Sequence, residues 1–263
     1  MVVDTYIEQA RTRARSEQEA IAEMRDAYEA FIRRVQKQQP EQTPSSAAGL
    51  TTTGGVTHLS ADGSSTDGCR PVRRAFAETI RPHSVADIDQ TECLLETIRE
   101  EFTDAIAVAL APTTEASFTP DLKRVVLTEA QARRAEATAL RKALEREEAH
   151  LDEADGAVDD IIAWIVDANE TPLTDFGFDA LQQRHETLAS HCDRCEVMAR
   201  DRQEFLQKTT NNGVGAGVGH ESLIPYLYQD FSVDHPVLAT VARLTETCQG
   251  CQRTVRDHLV RRA

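Results

Sequence analysis

Two short cysteine motifs near the C-terminus constrain the fold of this chain more than any other feature of its sequence. They are Cys192-Asp-Arg-Cys195 and Cys248-Gln-Gly-Cys251, and each belongs to a stretch with helical periodicity. Distinctive residues recur at alternating steps of three and four residues, which is typical of one face of a helix. In the first stretch they are Phe178, Leu181, His185, Leu188, Cys192, Cys195, Ala199, Arg202 and Leu206. In the second they are Val237, Val241, Leu244, Cys248, Cys251, Val255 and His258.

The ends of these two helices fix their register if they run antiparallel. Aligning Lys208 with His235 places Cys195 opposite Cys248, and it also places the other two cysteines of the motifs opposite each other. The register was chosen from the helix ends alone, yet it brings all four thiols to one level. We call these four residues the thiol layer.

The geometry of the thiol layer suits a metal ion. Residues three apart on a helix have Cβ atoms about 5–6 Å apart, and packed helices lie about 8–10 Å apart. Four cysteine sulfurs at these spacings can converge on a tetrahedral zinc ion. We therefore predict a structural zinc site with Cys192, Cys195, Cys248 and Cys251 as its ligands.

Two other interpretations of the thiol layer stay open. In the first, the thiols form a redox sensor that switches between free cysteines and interhelical disulfides. A disulfide within one motif is less favourable, because a disulfide needs Cβ atoms about 3.5–4.5 Å apart. In the second, the cysteines are small core residues that only fill the helix interface. Thiol reactivity separates a redox site from a metal site, because bound thiolates are shielded.

The composition indicates the salt concentration at which the protein works, but it does not identify a binding partner. The 263 residues carry a formal net charge of −15, and only four of the 29 basic residues are lysine. An acidic, lysine-poor chain resembles the proteins of salt-loving archaea. In molar salt the Debye length is about 3 Å, so such a surface is solvated and the charge does not by itself exclude nucleic acid.

The chain has no apolar run near the roughly 20 residues that a membrane helix needs. The longest is 105–111, and the N-terminus is too polar for a signal peptide. We expect a cytoplasmic protein without a membrane partner, and in that compartment paired cysteines more often bind metal or change redox state than form permanent disulfides.

The sequence predicts an all-α fold in three segments. Residues 1–37 form an amphipathic helix, residues 38–68 a disordered linker rich in Gln, Pro, Ser, Thr and Gly, and residues 69–263 a helical domain. Residues 178–263 of that domain form the cysteine-bearing hairpin. The N-terminal helix is interpreted either as a coiled-coil arm that makes a homodimer or as a helix packed back on its own domain.

Capping signals divide the remainder into helices. A short helix is expected over Val72–Ile80, and a second is expected to start at Ser84 and to end at Pro112. Thr119 followed by Pro120 starts a long central helix that continues to about Ala168, on the order of 70 Å. The expected architecture is an elongated helical bundle with this long helix, the antiparallel hairpin and a separate N-terminal helix.

Several segments together resemble a haloarchaeal family that is known only as a domain of unknown function. The resemblance covers the chain from about Pro71 to the C-terminus and implies a halophilic, cytoplasmic setting. It implies no catalytic residue. The segments are Thr119-Pro-Asp-Leu-Lys-Arg-Val, Asn169-Glu-Thr-Pro-Leu, Gly177-Phe-Asp with Arg184-His185, the two cysteine motifs, Tyr226-Leu-Tyr-Gln-Asp-Phe231 and His235-Pro-Val-Leu-Ala-Thr240.

Other groups of polar residues favour ordinary structural roles. His185 and His258 fall opposite each other in the hairpin register, as a second, weaker metal site or as hydrogen-bonded surface residues. His191 points to a different face from Cys192 and is a poor substitute ligand. One group of acidic residues is interpreted as a solvated helix face: Glu147, Glu148, Asp152, Asp155, Asp159 and Asp160.

The function that these observations favour is a non-enzymatic interaction or scaffold protein with a structural zinc site and an unidentified protein partner. The redox sensor is one alternative. A helical regulator that binds DNA through arginine-rich faces is another, and its candidate arginines are those of the last helix: Arg253, Arg256, Arg261 and Arg262.

Overall fold

The computed structural model describes residues 5–41, 67–84, 93–114, 117–211 and 223–262, and within these ranges it contains helices and no strand. The all-α prediction is confirmed. Short 3₁₀ turns lie at Arg81–His83, Pro112–Thr114 and Leu173–Asp175. The α-helices are α1 (Ile7–Lys37), α2 (Arg70–Thr79), α3 (Leu94–Glu101), α4 (Asp104–Leu110), α5 (Pro120–Asn169), α6 (Phe178–Asn211), α7 (Leu223–Tyr228) and α8 (Pro236–Val260).

The long helix α5 confirms the prediction of a long central helix. It has 50 residues, which corresponds to about 75 Å. It begins as the sequence indicated, with Pro120 in its first turn and the backbone N–H of Leu122 donating to Thr119 Oγ1 at 3.2 Å. No helix in the described ranges, α5 included, is both long enough and apolar enough to cross a membrane.

The segment that was expected to be one helix ending at Pro112 is two helices, α3 and α4. At Phe102 the backbone leaves the helical region, with φ −117° and ψ −106°. Thr103 then caps α4, because its Oγ1 accepts a hydrogen bond from the backbone N–H of Ile106 at 3.3 Å. The predicted helix start at Ser84 falls next to residues 85–92, which lie outside the described residues, and α3 itself begins at Leu94.

The chain divides into two compact units. One comprises Met1–Glu19 and Ala139–Ala263, and the other comprises Ala20–Thr138. Helices α1 and α5 each contribute one part to each unit, so the first unit is made of two separate segments of the chain, whereas the second is one continuous segment. Most of the linker predicted at 38–68 lies outside the described residues.

The core of the second unit is built around aromatic side chains. The Phe102 ring lies 5.5 Å from the rings of both Phe31 and Phe76, and the Tyr28 ring lies 6.4 Å from that of Phe102. Tyr28 and Phe31 belong to α1, and at the other end of this helix Ile7 is buried in the first unit. Helix α1 therefore packs against other helices of its own chain, and its part in a homodimer stays a prediction.

Candidate functional site

Helices α6 and α8 pack along each other in an antiparallel arrangement. Arg262, just after α8, donates hydrogen bonds to the carbonyl oxygens of Thr174 and Phe176, just before α6. Further along the pair, Leu188 of α6 and Val255 of α8 share one buried cluster. These contacts follow the register that was predicted from the helix ends.

The structure brings cysteines of both motifs into contact. Cys195 and Cys248 are fully buried, at 0% exposure, whereas Cys192 and Cys251 are partly buried. The Cys248 thiol forms hydrogen bonds with the sulfur atoms of Cys195 and Cys192. All four residues are free cysteines. Cys192 and Cys195 of the first motif therefore both contact Cys248 of the second motif.

These contacts and burial make the thiols unequal in acidity. The hydrogen bond from Cys248, helped by one from Thr245, lowers the pKa of the Cys195 thiol although burial opposes this. The same hydrogen bond, together with burial, raises the pKa of Cys248. Burial raises the pKa values of Cys192 and Cys251 as well. The hydrogen bond that Cys195 and Cys248 share therefore favours loss of one proton from this pair.

The donor chemistry of the thiol layer suits zinc, but the side chains as placed do not form a closed site. Cys251 packs against the cluster of Leu188 and Val255 and lines a cavity together with Trp164. Within the described residues, no group of three or more His, Cys, Asp or Glu side chains is placed to hold a metal ion. Cys192 and Cys195 each contact Cys248, and Cys251 lines an apolar cavity.

The sequence analysis considered three histidines as possible metal ligands, and none of them forms a ligand group with the thiol layer in the described residues: His185, His191 and His258. His191 is buried with its ring 4.9 Å from that of Trp164, and neither ring nitrogen has a hydrogen-bond partner among the described residues. Burial lowers its pKa. His185 and His258 are partly buried. They supply no ligand set in the part of the chain that the structure describes.

The cavity beside Cys251 has a volume of about 550 Å³. Helices α5, α6 and α8 and the turn after α5 line it, and its walls are mainly apolar. The lining residues are Trp164, Ile165, Ala168, Asn169, Leu173, Arg184, Leu188, Glu246, Thr247, Gly250, Cys251, Thr254 and Val255. The periodicity of one helix could not have indicated this cavity, because residues of three helices and a turn line it together.

A buried ion pair nearby corrects one sequence-based interpretation. Glu147 was expected on a solvated face, but it is 1% exposed and accepts two hydrogen bonds from Arg202, at 2.7 and 2.9 Å. The Tyr228 hydroxyl donates to the same carboxylate. A signal was present, because residue 147 continues the three-and-four spacing of Leu144 and Leu151 along α5.

Comparison with known proteins gives a family but no activity. The model of the domain of unknown function DUF7260 matches residues 5–252, which include both cysteine motifs. No functionally curated protein and no solved structure shows significant similarity to the chain. Because the match covers most of the chain, this protein belongs to the DUF7260 family.

Proposed function

We propose that this chain is a non-enzymatic helical interaction protein in which zinc bound by Cys192, Cys195, Cys248 and Cys251 holds α6 and α8 together. The observation that carries the proposal is the contact between thiols of both motifs inside one pair of packed helices. Four thiolates at one level are a common ligand set for structural zinc.

The proposal requires one local change in the thiol layer. The sulfur of Cys251, a residue that lines the apolar cavity, has to join the other three thiols around the ion, and we expect a rotation of its side chain on an intact helix to be enough. Without an ion, a neutral thiol is well accommodated against apolar groups such as Val255. Burial raises the pKa of Cys251, so we expect zinc binding to release protons and to weaken as pH falls.

The scaffold part of the proposal is supported by the surface of the same helices. Phe178, Val197 and Val260 are large apolar side chains that are about half or more exposed, at 47%, 46% and 72%. Phe178 at the start of α6 and Val260 at the end of α8 lie at the same end of the antiparallel pair, where apolar surface can be covered by a protein partner. The lysine-poor composition and net charge of −15 further support a role at high salt.

Metal-dependent stability of single-cysteine variants tests the proposal. We expect zinc to raise the unfolding temperature of the chelator-treated wild type, and we expect Cys195→Ser and Cys251→Ser to abolish this rise. Cys93→Ser is the matched control, because Cys93 is an exposed cysteine in the other unit. An equal unfolding temperature with zinc and with chelator in the wild type would rule out the structural site.

A thiol redox switch is the second candidate, and the Cys195–Cys248 contact favours it. The lowered pKa of Cys195 raises the fraction of this residue that is thiolate, the reactive form, and Cys248 is the partner it already touches. Oxidation of the metal-free protein would then join these two sulfurs, with loss of two protons and two electrons to an added oxidant such as diamide. Peptide mapping should find this disulfide. Its absence after exposure to diamide, with both thiols intact, would exclude the switch.

A further inference from the structure

The cavity beside the thiol layer has the size and walls of a small-molecule site. Its volume of about 550 Å³ falls within the roughly 300–1,000 Å³ typical of ligand pockets. Trp164, Leu188 and Val255 supply apolar wall, while Asn169 and Glu246 are exposed residues at its edge. The cavity is therefore apolar inside and reaches the surface.

The lining residues describe a narrow, extended space. On α8 they run from Glu246 to Val255, a rise of about 14 Å along the helix. Leu188 of α6 packs at the level of Val255, which is the C-terminal end of the lined stretch of α8. Arg184 is one turn before Leu188 on the antiparallel helix α6 and therefore lies beyond Val255. Arg184 and Glu246 therefore lie towards opposite ends of the cavity. A linear ligand matches this shape better than a compact one.

The guanidinium of Arg184 is held in place by two contacts at one end of the cavity. Its Nη1 donates to the carbonyl oxygen of Ala168 at 2.5 Å, and its guanidinium carbon lies 3.9 Å from the centre of the Phe176 ring. No carboxylate of the described residues forms an ion pair with it. A guanidinium has five N–H donors, so the two contacts orient the group and leave other donors for an anion.

We propose that this cavity binds a medium-chain fatty acid, with the acyl chain along Trp164 and Leu188 and the carboxylate on Arg184. The apolar walls provide the affinity for the chain. Charge-assisted hydrogen bonds from the guanidinium select the anionic head group. The proposal is independent of the zinc site, since it requires no metal and uses Cys251 only as part of the wall.

Trp164 is the only tryptophan of the chain and lines the cavity, so its fluorescence reports binding directly. We expect decanoate to change this fluorescence with saturation. Arg184→Gln should weaken decanoate binding about ten-fold, as expected for loss of one charge-assisted hydrogen bond, without weakening the binding of uncharged decan-1-ol. The matched control is Arg194→Gln, an arginine of the same helix that does not line this cavity. It should change neither affinity.

A pair of glycine variants tests the location independently of charge. Cβ atoms added at Gly250 and at Gly156 would both meet no atom within 4 Å, but only Gly250 lines the cavity. Gly250→Leu should fill the space and abolish decanoate binding, whereas Gly156→Leu should leave it unchanged. Helicity measured by circular dichroism must stay at the wild-type level in both variants.

Three results would overturn the proposal. The first is no saturable change in Trp164 fluorescence with decanoate. The second is unweakened decanoate binding in Gly250→Leu, which would place the ligand elsewhere. The third is equal binding of decanoate by the wild type and Arg184→Gln, which would leave an apolar cavity without carboxylate recognition.

Discussion

At the scale of single residues, the buried Glu147–Arg202 pair is the strongest polar feature outside the thiol layer. Arg202 is 4% exposed, and its guanidinium meets the Glu147 carboxylate with two parallel hydrogen bonds. Such a pair offsets the cost of burying both charges only while both partners are present. Tyr228 of α7 completes the hydrogen bonding of the carboxylate.

We expect Glu147→Leu to destabilise the protein by about 3–5 kcal/mol, because Arg202 is left as a buried charge without its partner. Replacing both residues, in Glu147→Leu with Arg202→Met, should restore most of that loss. Urea unfolding followed by circular dichroism measures both effects. The control is Asp160→Ala, which breaks an exposed ion pair with Arg194 and should cost less than about 1 kcal/mol. A double variant no more stable than the single one would contradict the expectation.

His150 should make stability depend on pH. Burial, and then the nearby charge of Arg202, lower its pKa below the ordinary value of 6.5, while Glu147, Glu153 and Asp201 act in the opposite direction. The unfolded chain therefore takes up the proton first, so this contribution to stability is complete above pH 6.5 and decreases as pH falls below it.

NMR titration of the His150 ring should give a midpoint below 6.5. His150→Gln should reduce the loss of unfolding free energy between neutral and mildly acidic pH. A midpoint at or above 6.5 would show that the ring is not desolvated in this way.

At the scale of helices, sequence patterns predicted the elements with strong local signals. Thr119 and Pro120 marked the start of α5, and the periodicity of α6 and α8 predicted their register. The break at Phe102 was missed because the apolar spacing continues across it from Ile98 to Ile106. Periodicity records which face is buried, and two short helices can bury the same face as one long helix.

The cap of α4 can be tested directly. Thr103→Ala removes the hydroxyl that accepts from the Ile106 N–H and should destabilise the protein by about 1 kcal/mol. Thr187→Ala is the control, because Thr187 is within α6 and its hydroxyl only donates to the Gln183 carbonyl. Alanine is the better helix former there, so this change should be neutral or slightly stabilising. Equal effects of the two variants in urea unfolding would argue against the cap.

The candidate site was partly predictable for the same reason. Helical spacing was enough to bring Cys195 and Cys248 together, since both lie on the faces by which two helices pack. Spacing could not show that Cys251 faces a cavity or that Arg184 is held against Phe176. These features depend on side-chain rotamers and on the position of a third helix, and neither can be read from the spacing of residues along one helix.

At the scale of the whole molecule, the residues that could bind a metal or a ligand lie in one of the two units. The second unit has an aromatic and aliphatic core, whereas the thiol layer, the cavity and the Glu147–Arg202 pair all belong to the first unit. The thiol layer and the cavity therefore make the first unit the part of the chain in which a function should be sought first.

The net charge of −15 predicts stability that depends on salt. Lowering the salt concentration lengthens the Debye length from about 3 Å at 1 M to about 10 Å at 0.1 M, so repulsion among the acidic residues reaches further. We expect the unfolding temperature to fall over this range. Choline chloride at equal ionic strength should stabilise as sodium chloride does if screening is the cause. An unfolding temperature independent of salt would contradict a halophilic setting.

The most direct measurement for the central claim is the metal content of protein purified at high salt without chelator, combined with a count of reactive thiols. We predict one zinc ion per chain. We also predict that the thiols of Cys192, Cys195, Cys248 and Cys251 react only after chelation and unfolding. The structural zinc site would be contradicted by metal-free protein in which these four thiols react at once and which takes up no added zinc.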